Sequence, residues 1–98
     1  MSGFYPDTTL ECVHPGELVG EWLQENHYSQ GWLAAQCTIS ASYISDVVQG
    51  KRGIGPRLAL RLQRVTAMSP RLLVRMQADW DLEQEWQRQV GIDQSRQA

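Results

Sequence analysis

Apolar residues in this chain recur at the three- and four-residue spacing of helices, and no stretch shows the convincing alternation of a strand. Leu18, Val19, Trp22 and Leu23 stand at i, i+1, i+4 and i+5 behind Pro15, whose fixed φ suits a helix start, so the pattern predicts a first helix over about 16–26. Ser29 is placed to cap a short second helix through about Gln36, with Leu33, Ala34 and Cys37 turned inward. After a break at Thr38-Ile39, Ser40 offers another cap, and Ile44, Val47 and Val48 mark the inner side of a third helix. Gly50 ends it, because a glycine takes the left-handed conformation that closes a helix without steric cost. Pro56 opens a fourth helix to about Val65, with Ala59, Leu62 and Val65 on its apolar face. Ser69-Pro70 repeats the cap-then-proline signal for a long fifth helix to about Gln89, carrying Leu73, Met76 and Trp80 on one face. Residues 1–13, without a sustained period, read as a loosely attached arm, and 91–98 as a polar tail that frays. The expected architecture is all-α, with five helices in one domain over residues 14–90.

Size agrees with a single domain: 98 residues hold one core, and 42% hydrophobic with 20% charged residues is an ordinary globular balance. No apolar run approaches the roughly 18 residues that cross a bilayer, and no basic flank precedes an apolar stretch at the N-terminus, so a cytoplasmic protein with no membrane partner is expected. Cys12 and Cys37 lack a C-x-x-C spacing, and His14 and His27 complete no zinc ligand set; reduced thiols, no metal and no cofactor are the expectation.

The net charge of −2 conceals a segregation along the chain. Residues 1–50 carry Asp7, Glu11, Glu17, Glu21, Glu25 and Asp46 with no Lys or Arg. Residues 51–75 carry Lys51, Arg52, Arg57, Arg61, Arg64, Arg71 and Arg75 with no acid. A basic block this concentrated is the electrostatic footprint of a phosphate-binding face. The competing explanation is pairing of basic and acidic helices within the molecule. Pairing is the favoured reading for Arg61 and Arg64, whereas Arg57, near a helix start, is assigned to nucleic acid.

Two short helices joined by a tight turn, over 29–36 and 40–49, fit a helix-turn-helix whose second helix enters the major groove. Ala34, Ile39, Ile44 and Val47 fall where two steeply crossing helices must touch, and the start of the second helix presents Ala41, Ser42, Tyr43, Ser45 and Asp46. No nucleophile with its base, paired carboxylates or phosphate-cradling glycine loop can be assembled, so an enzyme is not expected. His14 beside Pro15 reads as a capping or packing residue. The four tryptophans read as core and dimer residues, although Trp32 falls off the Leu33-Ala34 face and is a candidate partner surface.

The wording of the chain over about 13–86 resembles the HigA-type antitoxins, which are similar to phage-repressor helix-turn-helix proteins. The resemblance is carried by His14-Pro15-Gly16-Glu17, Ser29-Gln30, Ile44-Ser45, Gly50-Lys51-Arg52-Gly53-Ile54, Ala59-Leu60-Arg61-Leu62, Ser69-Pro70 and Met76-Gln77-Ala78-Asp79-Trp80-Asp81-Leu82. It implies a five-helix homodimer that represses its own operon on double-stranded operator DNA and neutralises a small, basic, mRNA-cleaving toxin. Carried onto matching positions, it implies phosphate contacts from Gln30 and Tyr43, base-facing Ala41, Ser42, Ser45 and Asp46, and a backbone grip by Lys51 and Arg52. Ser40 and Arg57 complete the expected DNA face, and Leu73, Met76 and Trp80 are the expected dimer residues. Three positions depart from the family pattern: Thr38 replaces the usual glycine of the turn, Asp46 replaces a basic or amide residue, and Leu72-Leu73-Val74-Arg75 replaces aromatic residues. The alternatives are a solitary repressor, or a protein-interaction module whose helix-turn-helix has degenerated.

Overall fold

Each of five successive helices begins at a residue that explains its start. The computed structural model describes residues 12–97, with side chains as far as Gly91, so most of the expected arm lies outside the described residues. Helix α1 spans Pro15–Asn26, with proline at its first position and His14 Nδ1 accepting the Gly16 N–H at 2.9 Å. Helices α2 (Gln30–Cys37) and α3 (Ala41–Val48) are capped by Ser29 and Ser40, whose hydroxyls accept the N–H of Trp32 at 3.0 Å and of Tyr43 at 3.1 Å. Helix α4 (Pro56–Thr66) starts at Gly55 with no side-chain cap, and α5 (Pro70–Gln97) starts behind Ser69, which accepts the Leu72 N–H at 3.2 Å.

Three of the helix ends are closed by non-glycine residues in the left-handed region: His27, Thr38 and Ala67. Thr38, with φ 60° and ψ 44°, adopts the conformation that glycine ordinarily supplies, so the turn is kept despite the β-branch. Its closure is sealed by the Ile39 N–H donating to the Ala34 carbonyl at 3.0 Å. The substitution is thus absorbed as local backbone strain rather than as a changed turn.

The core is continuous: Val19 and Leu23 from α1, Leu33, Ala34 and Cys37 from α2, Ile44 and Val47 from α3, Ile54, then Leu58, Ala59 and Leu62 from α4 and Leu73 from α5. Helix α3 packs against α2 and α1, α4 against α2 and α5, and α5 reaches back to α1. The approach of α1 to α3 is closest at Gly16, where a Cβ would lie 1.8 Å from the Val47 carbonyl oxygen. No strand occurs among the described residues.

Two expectations are corrected. Helix α5 runs to Gln97 rather than ending near Gln89. The Gln- and Arg-rich segment has high helix propensity and no proline, and the single Gly91 costs only about 1 kcal/mol, too little to stop it. Leu73 lies fully inside the chain's own core, leaving no surface for a second copy. Its neighbour Leu72, 46% exposed, turns outward instead, while Met76, on the same face as Leu73, is half-buried.

Candidate nucleic-acid interface

Helix α3 turns one side into the core through Ile44 and Val47 and leaves its start open. Ala41 and Ser42 are exposed, while Tyr43, Ser45 and Asp46 are half-buried. The hydroxyls of Ser40 and Ser42 lie 3.2 Å apart, and Ser45 Oγ accepts from Gln49 Nε2 at 2.9 Å, keeping its own proton for another acceptor. Gln30 occupies the first turn of α2 behind the Ser29 cap, half-buried.

Beside this helix the structure brings cations together. The Arg52 guanidinium sits over the Tyr43 ring, 4.4 Å from its centroid, and Lys51 and Arg52 are both exposed. Tyr43 and Arg57 share the walls of a surface hollow with Ile39, Gly55, Pro56 and Leu58. With glycine as N-cap and proline first in the helix, the amides of Arg57 and Leu58 receive no side-chain cap at the positive end of the α4 dipole. A phosphate fits this combination of bare amides, guanidinium and phenol.

Intramolecular pairing, the favoured expectation for Arg61 and Arg64, is not what the structure shows. Arg61 donates to the Cys37 carbonyl at 3.2 Å, steadying the end of α2 instead of meeting a carboxylate. Among the described residues the ion pair found is Arg88–Glu85 on α5. The reason is topological: α4 packs chiefly on α2 and α5, which keeps Arg61 and Arg64 away from the exposed Glu17, Glu21 and Glu25 of α1.

His14 is a cap and a packing residue. It is 3% exposed, meets Trp80 edge-on at 5.3 Å and 84°, and lies against Gly50, where φ is +79°. Burial pushes its pKa below the ordinary histidine value, with Asp81 and Glu17 acting in the opposite sense. Trp80 is therefore half-buried against His14 rather than wholly available to a partner. Cys12 and Cys37 are free thiols, each pushed up chiefly by burial. Trp32 is not a bare aromatic surface: it is half-buried and stacked on Tyr28 at 3.8 Å, and Tyr28, 45% exposed, is the member that faces solvent.

Sequence reading missed two contributors. Gln49 holds the Ser45 hydroxyl, and Gln77 on α5 holds the loop that carries Lys51 and Arg52. Gln77 falls within a fragment that carries the family resemblance, but nothing in the sequence assigns it this contact. The bare start of α4, in contrast, was open to inspection in Gly55-Pro56, since neither residue has a capping side chain.

A short helix pair with a tight turn, a capped and open second helix, and cations gathered beside it together define a helix-turn-helix protein. No family model matches the sequence. The chain is 31% identical over 68 residues to the helix-turn-helix-type transcriptional regulator YddM of Escherichia coli K12, itself uncharacterised, covering 69% of this chain and 72% of that protein. Among solved structures it is similar to Pseudomonas aeruginosa antitoxin HigA with the higBA promoter, at 31% identity and TM-score 0.72, covering 78% of this chain and 84% of that one. It is also similar to a Nostoc punctiforme protein assigned as the antidote of a plasmid maintenance system, at 26% identity and TM-score 0.83, covering 88% and 94%. The chain belongs to the HigA-type antitoxin family of helix-turn-helix proteins.

Proposed function

We propose that the chain is a dimeric repressor of its own operon that also neutralises a small, basic, mRNA-cleaving toxin in the cytoplasm. The observation that carries the DNA-binding part is the gathering of Tyr43, Arg52, Arg57 and the uncapped α4 start beside the open end of α3. In this reading Ala41, Ser42, Ser45 and Asp46 face base edges. Gln30, Ser40, Tyr43, Lys51, Arg52 and Arg57 hold phosphates on either side. HigA of P. aeruginosa, with its own promoter, is the relative that supports this assignment.

The dimer rests on a different surface. A groove between α4 and α5 is lined mainly by Pro56, Ala59, Leu60, Val74 and Ala78, with Arg71 and Arg75 also in its wall, and Leu60 is 54% exposed. In this reading a second copy covers it, which removes apolar area from water, and the dimer presents its two α3 helices to half-sites about one turn of DNA apart, as dimers of this class do. The test is binding of the purified chain to a duplex of its own promoter against a shuffled duplex, with light scattering on the same sample. A promoter preference with a dimer mass is the expected result. Equal affinity for both duplexes overturns the repressor reading and favours the interaction-module alternative, which Asp46 at the base-facing position would suit.

A further inference from the structure

Three aromatic rings cluster at the junction of α1 and α2. Tyr28 and Trp32 lie face to face, 3.8 Å apart and 10° from parallel, and Trp22 lies beside both, 5.8 Å from Tyr28 and 6.4 Å from Trp32, within 15° of parallel to each. Trp22 and Trp32 are half-buried against the core, whereas Tyr28, 45% exposed, is the member of the cluster that reaches solvent. The same tyrosine edges an open cleft whose other walls include Glu17, Gly20, Glu21, Gln24 and Gln30.

The stack serves the core only in part. A rigid aromatic platform whose rotamers are fixed before binding loses little entropy when a partner arrives, and such residues dominate interface energetics. The cleft next to it carries Glu17 and Glu21, and Glu25 continues the stripe one turn on. Among the described residues none of these carboxylates is ion-paired with a cation of this chain; the basic block is held on α4, its preceding loop and the start of α5, where Arg71 and Arg75 line the groove between α4 and α5. Stacked rings also accept nucleobases, but the three carboxylates repel a phosphate backbone, and no Lys or Arg occurs in residues 1–50 to offset them.

We infer that the cleft edged by Tyr28, Glu17 and Glu21, backed by the Tyr28–Trp32–Trp22 stack, is the docking surface for a folded protein of basic surface. That partner presents Arg or Lys to the two carboxylates and lays the stem or guanidinium plane on the tyrosine ring. Guanidinium against an aromatic face with carboxylates at its edge is the geometry in which charge and stacking reinforce each other. The inference rests on the antitoxin reading and deepens it, since it assigns the toxin to a face of α1 distinct from the open end of α3. Gln30 borders the cleft, so the partner and the DNA lie side by side.

The probe is the protein encoded by the reading frame adjoining that of this chain, titrated into the purified full chain. The variants are Tyr28→Ala and the pair Glu17→Lys with Glu21→Lys, all at exposed positions. The expected result is a loss of about 30-fold in affinity for the probe in Tyr28→Ala, as for an interface hot spot. In the charge-reversed pair the association rate should fall and rise again with added salt. Operator binding by Tyr28→Ala, read on the same samples, should stay close to the parent, while its thermal midpoint drops by several degrees through the lost ring contacts. The charge-reversed pair should keep its thermal midpoint and bind any duplex more tightly. Unchanged probe affinity in both variants, with a complex formed by the parent, overturns this surface and leaves the antitoxin reading in place. No complex with the parent overturns both. Quenching of tryptophan fluorescence by single-stranded RNA, lost in Tyr28→Ala, would reassign the stack to nucleic acid and also overturn the proposal.

Discussion

The backbone N–H of Ile54 donates to Oε1 of Gln77 at 2.9 Å, joining the loop that follows α3 to the middle of α5. Gln77 is itself held, since its Nε2 donates to Asp81 Oδ1 at 2.9 Å. Gly53 makes room for this arrangement: a Cβ there would lie 2.9 Å from the Gln77 amide carbon. The loop bearing Lys51 and Arg52 is thus positioned by the helix expected to form the dimer. Gln77→Ala should cost about 1 kcal/mol of stability through the lost hydrogen bond. Operator affinity should fall further, by about 3- to 10-fold, because the loop must then be ordered on binding. Gly53→Ala, which pushes the same amide away, should weaken binding similarly, and the double variant should add little to either. Fluorescence anisotropy with the promoter duplex reads all three, and full additivity would show that the two residues act separately.

Thr38 holds a left-handed conformation with a β-branched side chain exposed to solvent. Strain of about 1–2 kcal/mol attends such a residue, and glycine removes it while adding entropy to the unfolded chain. Thr38→Gly should therefore stabilise the fold by up to about 1 kcal/mol, raising Tm by about 4–8 °C in a domain of this size. The relative positions of α2 and α3, and hence operator specificity, should not change. A lower Tm would mean that the threonine makes a contact worth more than its strain.

The legibility of this chain follows from which interactions are local. Caps, prolines and apolar periods act within a turn or two, so Ser29, Ser40, Pro56 and Ser69-Pro70 mark their helix starts in the sequence itself. Contacts that depend on docking were not legible. Leu73 and Leu72 are adjacent leucines, and only the docking angle of α5 sends the first into the core and the second outward. Arg61 and Arg64 seemed suited to the acidic first helix, yet α4 is seated on α2 and α5, where Arg61 finds the Cys37 carbonyl. Thr38 shows a third case, in which local propensity argued against a conformation that tertiary packing imposes.

His14 accepts the Gly16 N–H through Nδ1 and can do so only as a neutral ring. Its folded-state pKa is lowered by burial, so as pH falls below about 6.5 the unfolded chain takes up a proton first. The stabilising contribution is complete above that value and declines as pH drops toward and through the lower folded pKa. Urea midpoints for the parent should accordingly decrease between pH 7.5 and pH 5 more than those of His14→Asn, which keeps a capping side chain without a proton to gain. Equal pH dependence in the two proteins would assign the titration to another group.

Asp46 is half-buried on α3, at a position expected to face bases. A carboxylate about 6 Å from a phosphate costs only about 0.7 kcal/mol in water-like surroundings, less than the 1–3 kcal/mol of one good base contact. The charge therefore does not forbid binding, and as an acceptor it selects cytosine N4. Asp46→Ala should raise affinity for random duplex while narrowing its gap from the operator. An operator preference unaltered in competition binding would remove Asp46 from base reading.

Lys51 and Arg52 differ in how they are held. Arg52 rests on the Tyr43 ring at 4.4 Å, which leaves its N–H groups free in the guanidinium plane for a phosphate, whereas Lys51 has no such platform. Each direct phosphate contact contributes roughly 0.9 to the slope of log affinity against log salt. A dimer presents both residues twice, so Lys51→Ala with Arg52→Ala should lower the slope by as much as about 3.6. Tyr43→Leu should behave differently. It preserves every cation and removes the platform together with the phenol, so the slope should be retained while affinity drops by more than the roughly 2- to 5-fold per site of an exposed cation–π pair alone. A salt titration of both variants against the promoter duplex separates charge from positioning. If the double alanine variant keeps the parent slope, the loop lies off the DNA, and the phosphate grip must come from Gln30, Ser40, Tyr43, Arg57 and the bare amides at the start of α4.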